Sequence, residues 1–298
     1  MTVEVGTLLQ QWRSRRSISQ LDLAYEVGVS PRHLSFVETG KSRPSPTLLH
    51  ALAERLDIPL RERNSLLLAA GHAPRYSEEP PLDSETMTRV RAEVGRLLDA
   101  HNPNMGMALD RAWNVVLAND TAMRLLSLLP EELQARPVNL FRASLHPDGF
   151  ARMTHNFDEW AAYLLDLLRR MVRITGDERL AALEREVSSY PTVAGLDGGG
   201  VSSRSGEAGS LLVPLELSLG DQVLSFFSTL TTFGSPRDVT LEELTIELFY
   251  PADEPTERWV AMMQGVTDTL IPRSVFPPPS SGTWTAPCST PSRFGRSR

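Results

Sequence analysis

Residues 19 to 40, Ser-Gln-Leu-Asp-Leu-Ala-Tyr-Glu-Val-Gly-Val-Ser-Pro-Arg-His-Leu-Ser-Phe-Val-Glu-Thr-Gly, specify two short helices and the turn between them. Ser19 is an N-cap signal, and Leu21, Leu23, Ala24 and Val27 follow as the apolar side of a first helix. Gly28 stands where a tight turn needs a residue that tolerates positive φ. Ser30 caps a second helix, and Pro31 takes its first position, where a missing N–H costs nothing. Leu34 and Val37 point back at the first helix, which leaves Arg32, His33, Ser35 and Phe36 on other faces. Thr39-Gly40 ends the helix. The pattern is a helix-turn-helix of the size that enters a DNA groove.

These residues resemble the Cro/repressor helix-turn-helix family, the XRE group, over roughly residues 5 to 71. The matching positions include Gln20, Ala24, Gly28-Val29-Ser30, Leu34-Ser35, Glu38, Gly40-Lys41 and Pro44-Ser45. The resemblance implies that the second helix reads base edges while groups around it hold phosphates. Gln20 aligns with the start of the first motif helix, where side chain and helix dipole both favour a phosphate. Ser30, Arg32 and Ser35 face outward from the start of the reading helix. Arg32 is the foremost base reader, since its fork matches guanine O6 and N7. Phe36 or the Pro31 ring can meet a thymine methyl, and Lys41 and Arg43 follow as phosphate contacts. The resemblance assigns Glu38 to an internal polar contact.

A net charge of −7 argues against nucleic-acid binding along the whole chain of 298 residues. Its distribution is uneven: residues 1–76 carry 10 basic and 7 acidic side chains, the remainder 20 and 30. A mildly basic N-terminal module joined to an acidic partner suits one DNA-binding part and one with another task. The sole cysteine, Cys288, permits neither an intramolecular disulfide nor a cysteine-based metal cluster. No stretch approaches the ~18 apolar residues of a membrane span, and no secretory signal is visible. A cytoplasmic location without membrane association is expected.

The spacing predicts five helices in residues 1–76, the DNA-binding domain. A proline-containing linker covers 77–83, within a run that starts at His72, and a helix resumes over 84–101. Residues 84–270 form the second domain. Strands are expected over 105–109 and 114–118, around the turn at Asp110-Arg111. A short helix capped by Asn119 or Asp120 follows, then two amphipathic helices over 157–174 and 177–187. Three further strands are expected over 211–219, 222–233 and 244–250, the first two joined at Gly220-Asp221. Two strands, then helices, then three strands predict an α+β fold with a five-stranded antiparallel sheet and its helices on one side. Residues 195–209 read as a flexible Gly/Ser-rich loop, and 271–298 as a disordered tail.

The second domain resembles the MmyB-like ligand-binding domain, a fold of the PAS type. The resemblance rests on residues 110–115, Ala118-Asn119, Asn139-Leu140-Phe141-Arg142, 145–149, 229–234, 238–244 and 246–253. It implies a one-component bacterial regulator whose sensor takes an apolar ligand such as a fatty acid. Trp113, Trp160 and Phe227 are candidate lining residues, equally explained as core. Asn119, Thr229 and Thr231 are polar groups able to orient a head group. Arg142 either meets a ligand carboxylate or pairs with a nearby acid.

No catalytic set emerges. The six histidines show no His-Glu-x-x-His spacing, and no metal or cofactor is expected. Ser144, His146 and Asp148 are close in sequence, but they read as a turn ordered by His146 and Asp148. Gly198-Gly199-Gly200 lacks the Lys-Ser/Thr of a phosphate loop. The expected protein is a dimeric, sequence-specific DNA-binding regulator with a ligand-sensing second domain. The alternative is a regulator whose second domain binds a protein partner and no small molecule.

Overall fold

The computed structural model describes residues 4–78, 87–196, 212–234, 236 and 238–264. The N-terminal domain is five helices: α1 (Val5–Arg15), α2 (Gln20–Val27), α3 (Pro31–Glu38), α4 (Pro46–Arg55) and α5 (Leu60–Ala69). None is long enough to be stable alone. They hold one another through a shared core of Leu9, Trp12, Leu23, Leu34, Leu52 and Leu66. α1 crosses α3 closely at Gly6, where a Cβ would lie 2.4 Å from the Glu38 carbonyl oxygen. One expectation is corrected here. Leu21 does not join Leu23 and Ala24 on the inner face but is 51 % exposed, beside Tyr25. Residues two apart on a helix point in nearly opposite directions, so Leu21 and Leu23 cannot share one face.

The segment that leaves α5 is anchored. The buried Asn64 accepts hydrogen bonds from the backbone N–H groups of Arg75 (3.0 Å) and Tyr76 (3.1 Å). Its amide donates to the Tyr76 carbonyl at 2.8 Å. Residues 79–86, including most of the expected linker and the start of the next helix, lie outside the described residues.

The second domain opens with α6 (Thr88–Ala100) and builds a sheet from β1 (Gly106–Leu109), β2 (Val115–Ala118), β3 (Leu215–Leu219), β4 (Gln222–Thr232) and β5 (Thr245–Pro251). The strand order is β2-β1-β5-β4-β3, and every pairing is antiparallel. Between β2 and β3 lie α7 (Asp120–Leu126), α8 (Glu131–Gln134), α9 (Leu140–Leu145), a 3-10 turn (Phe150–Met153), α10 (Phe157–Thr175) and α11 (Glu178–Ser188). α12 (Val239–Glu242) precedes β5, and α13 (Glu254–Gln264) follows it. The α+β class and the five-stranded antiparallel sheet are as expected. The placement of all helices on one side is not.

β1 is buried at every position. Strand residues alternate between faces, so both faces of β1 must be covered. Met107 and Leu109 join Phe249 in the main core against α10, which contributes Trp160, Leu164 and Leu168. Ala108 and Ile246 point the other way and pack with Val94 and Leu98 of α6. A strand sandwiched in this manner carries no polar–apolar alternation that would reveal its second cover. Residues 197–211 and 265–298 lie outside the described residues, and with them most of the expected loop and the whole expected tail.

Candidate functional site

The turn between α2 and α3 is built as its residue types require. Ser19 Oγ accepts from the Asp22 N–H at 3.1 Å, and Ser30 Oγ accepts from the His33 N–H at 3.1 Å. Gly28 adopts φ +76° and returns its N–H to the Tyr25 carbonyl. Leu34 and Val37 are fully buried, which fixes the rotation of α3 and turns Arg32 to solvent. The Arg32 guanidinium lies 5.3 Å from the centroid of the Phe36 ring, and Lys41 Nζ lies 5.8 Å from it. One half-buried aromatic ring thus carries two cations on the outer side of α3, an arrangement favoured by the ring's negative face. Pro31 and Ser35 are partly covered on the same short helix.

Two of the expected phosphate contacts are committed elsewhere. Gln20 Nε2 donates to Glu38 Oε2 at 2.8 Å. Glu38 also receives Arg13 in a bidentate pair at 2.8 and 3.0 Å. This hydrogen bond raises the Arg13 pKa against the opposing effect of its partial burial. Gln20 therefore ties α2 to α3, and Glu38 makes the internal polar contact expected of it. Arg43 donates from Nε to the Ala70 carbonyl and from Nη2 to the Gly71 carbonyl, both at 2.6 Å. It adds a side-chain clamp to the end of α5, where the Gly71 and His72 N–H groups already donate to the Leu68 and Leu67 carbonyls.

In the second domain the expected ligand residues do not converge. Trp113 and Trp160 lie in the main core, Trp113 with its ring centroid 4.7 Å from that of Phe141 and Trp160 5.2 Å from Tyr163. Phe227, Thr229 and Thr231 pair with Tyr250, Leu248 and Ile246, so they lie on the opposite face of the sheet. There Phe227 stacks on Tyr250 at 5.2 Å, and the two threonines are exposed. Asn119 is buried with its side chain fully used. Its oxygen accepts from Ala122 and Gly106 N–H groups, and its amide donates to the Leu98 and Asn104 carbonyls. Arg142 pairs with Glu186 at 2.6 and 2.7 Å, which raises the arginine pKa and lowers that of the glutamate. Of the two readings of Arg142, the ion pair is the one present.

Asp148 N–H donates to His146 Nδ1 at 3.1 Å, so this stretch forms the expected turn. Among the described residues no group of three or more His, Cys, Asp or Glu side chains could hold a metal ion. No described helix is long and apolar enough to cross a membrane.

Three features escaped the sequence reading. The first is a narrow apolar slot of about 40 Å³ beneath α13, lined by Met105, Leu125, Leu217, Phe226, Trp259 and Val260. Asn104 and Arg124 also border it, and Asn104 Oδ1 is buried without a hydrogen-bond partner. The second is Glu247, 4 % exposed in the middle of β5, with Oε2 unpartnered. Burial pushes its carboxyl up to about 7, against a smaller opposing effect of a Ser228 hydrogen bond. The strand period was sufficient to place Glu247 on the Phe249 face, and an acid on an apolar face is the signal that could have found it. The third is a cleft of about 600 Å³ between the domains, bordered by Arg61, Glu78, Arg111, Asp177, Arg179 and Glu243. No sequence pattern marks these residues, because the two domains supply them from distant positions.

Residues 90–263 match the family of the MmyB-like transcription regulator ligand binding domain, and residues 9–63 match a helix-turn-helix family. No curated protein matches the chain.

Proposed function

The chain belongs to the family of the MmyB-like transcription regulator ligand binding domain, and on that premise we propose that it is a dimeric, one-component regulator whose DNA affinity answers to a small apolar ligand such as a fatty acid. It is a DNA-binding transcription regulator with a ligand-binding domain; the dimer, the ligand class and the effect of one on the other are our reading. The observation that carries it is the separation of the two tasks. The side chains on the outer side of α3, Arg32 and Lys41 around Phe36, are distinct from those by which α5 contacts the second domain, Leu60 and Arg61. Docking of the domains thus leaves the reading helix free for a major groove.

In this reading Arg32 reads bases, Lys41 holds a phosphate, and the chain catalyses no reaction. The protein acts in the cytoplasm. The slot beneath α13, about 40 Å³ as it stands, widens to admit the ligand's apolar part, whose polar end then meets Asn104. A ligand bound there alters how two protomers pair, and so whether two α3 helices match half-sites about one helical turn apart.

The test is mass spectrometry of small molecules extracted from the denatured full-length protein, with residues 1–76 alone as blank. A stoichiometric apolar species found with the full chain and absent from the blank is expected. A clean extract, together with no shift in melting when medium- and long-chain fatty acids are added, would overturn the sensing part and favour a protein-binding second domain.

A further inference from the structure

The domains meet at the first turn of α5, and three consecutive residues there are each held by the second domain. The Leu60 N–H donates to Glu242 Oε2 at 2.7 Å. α5 begins after Pro59 with no side-chain cap of its own, so this carboxylate from the second domain serves as one. Arg61 donates to both Glu243 oxygens at 2.7 and 3.0 Å, and also pairs with Glu78. Glu62 receives Arg111 Nη2 at 2.7 Å.

Arg111 is the shared cation of this joint. Its Nη1 donates to Glu243 at 2.9 Å, and its Nε lies 2.6 Å from Asp177 Oδ2. Asp177 is also the N-cap of α11, accepting from the Arg179 N–H at 2.8 Å. One guanidinium, 19 % exposed, thus joins carboxylates of α5, of the segment after α12, and of the α11 cap.

The turn that carries Arg111 also reaches inward. Asp110 Oδ1 accepts from the N–H groups of Ala112 (2.8 Å) and Asn114 (2.9 Å). Asn139 donates to the Ala112 carbonyl at 2.7 Å, and Leu140 N–H to the Trp113 carbonyl at 2.9 Å. Trp113 adopts φ +63°, a backbone state uncommon for a bulky residue and kept only where the surroundings impose it. Its buried indole packs on Phe141 in the main core. Two residues of one braced turn therefore face opposite tasks, Trp113 the core of the ligand-binding domain and Arg111 the DNA-binding domain.

α5 continues the line. Its far end is held at the Ala70 and Gly71 carbonyls by Arg43, two residues beyond Lys41. A helix fixed at one end by the second domain and at the other by the segment following α3 links the two sites mechanically.

We propose that the turn between β1 and β2 is the coupling element of this protein: Trp113 registers the packing of the ligand-binding core, and Arg111 transmits it to the first turn of α5. The proposal rests on the reading of the second domain as a sensor, but its test needs no ligand.

The test is a double-mutant cycle read by amide hydrogen exchange on the full chain, following peptides that cover residues 60–64. Arg111→Gln should speed exchange there by about tenfold, discounted for its partial exposure, and leave α2 unchanged. Phe141→Leu, which alters only the core side, should speed the same peptides. In the Arg111→Gln background it should add nothing further. Changes from Phe141→Leu confined to the second domain, or equal in both backgrounds, would overturn the proposal. Should Phe141→Leu not fold, Trp113→Phe makes the same comparison. A coupled cycle with a clean ligand extract would retain the joint and remove the sensing. An uncoupled cycle with a bound ligand would do the reverse.

Discussion

Glu247 is a carboxyl group enclosed by apolar strands, and its consequences are thermodynamic. Its folded pKa, about 7, stands above the ordinary 4.5 because burial disfavours the charge. Below 4.5 this group is protonated in both the folded and unfolded states, and its burial carries no ionisation cost. Between 4.5 and about 7 the unfolded chain ionises and the folded one does not, so stability falls as pH rises. The loss amounts to about 3–4 kcal/mol and levels off above the folded pKa. Glu247→Gln should flatten this slope, and urea midpoints at mildly acidic and mildly alkaline pH would show it. An unchanged slope in the variant would assign the pH dependence elsewhere. Arg32 makes the opposite kind of residue, exposed and poised over Phe36. Arg32→Ala is expected to cost about 1–3 kcal/mol at one base position of the operator, with non-specific binding little changed. Equal weakening on all sequences would make it a phosphate contact. Arg32 was legible because its motif fixes the rotation of the helix. Glu247 was not singled out, since the two faces of its strand were left unassigned.

At the level of elements, caps and turns carried most of the legible information. Ser19, Gly28, Ser30, Pro31 and Asn119 all take the positions that their chemistry implies. Gly28 offers a clean measure of what such a signal is worth. A Cβ there would meet nothing within 4 Å, so substitution acts through backbone strain alone. Gly28→Ala should cost about 1–2 kcal/mol in thermal unfolding of the N-terminal domain, the expense of a left-handed residue with a side chain. A neutral result would mean that the turn relaxes without consequence. Other elements left less trace. α8 and α12 span four residues each and α9 six, too few for a helical period to register. The cover of β1 by α6 was hidden for a different reason, since a strand buried on both faces loses its alternation. The expected ligand residues scattered because strand parity was not applied across β4: Phe227, Thr229 and Thr231 share one face, and the main core occupies the other.

Each domain carries its own apolar core, and charge stands where the two domains meet. The core of the helical domain and the main core of the second share no residue. Between them stand Arg61 and Arg111 with Glu62, Glu78, Glu243 and Asp177, and the Leu60–Glu242 hydrogen bond. Apolar burial is little weakened by sodium chloride at moderate concentration, whereas partly exposed ion pairs are screened over a length that falls from ~30 Å at 0.01 M to ~3 Å at 1 M. Salt should therefore act on the joint before it acts on either core. Calorimetry at low ionic strength is expected to give one merged transition, because each domain holds the other's charges in place. Near 1 M the transition should divide in two, with the smaller enthalpy belonging to the shorter helical domain, as enthalpy scales with the residues unfolded. Arg111→Gln leaves Glu62, Glu243 and Asp177 without their common cation, so it should divide the transition even at low salt. A single transition under all these conditions would mean that contacts other than charge bind the domains together, and the ionic joint would then be an accompaniment of docking instead of its cause.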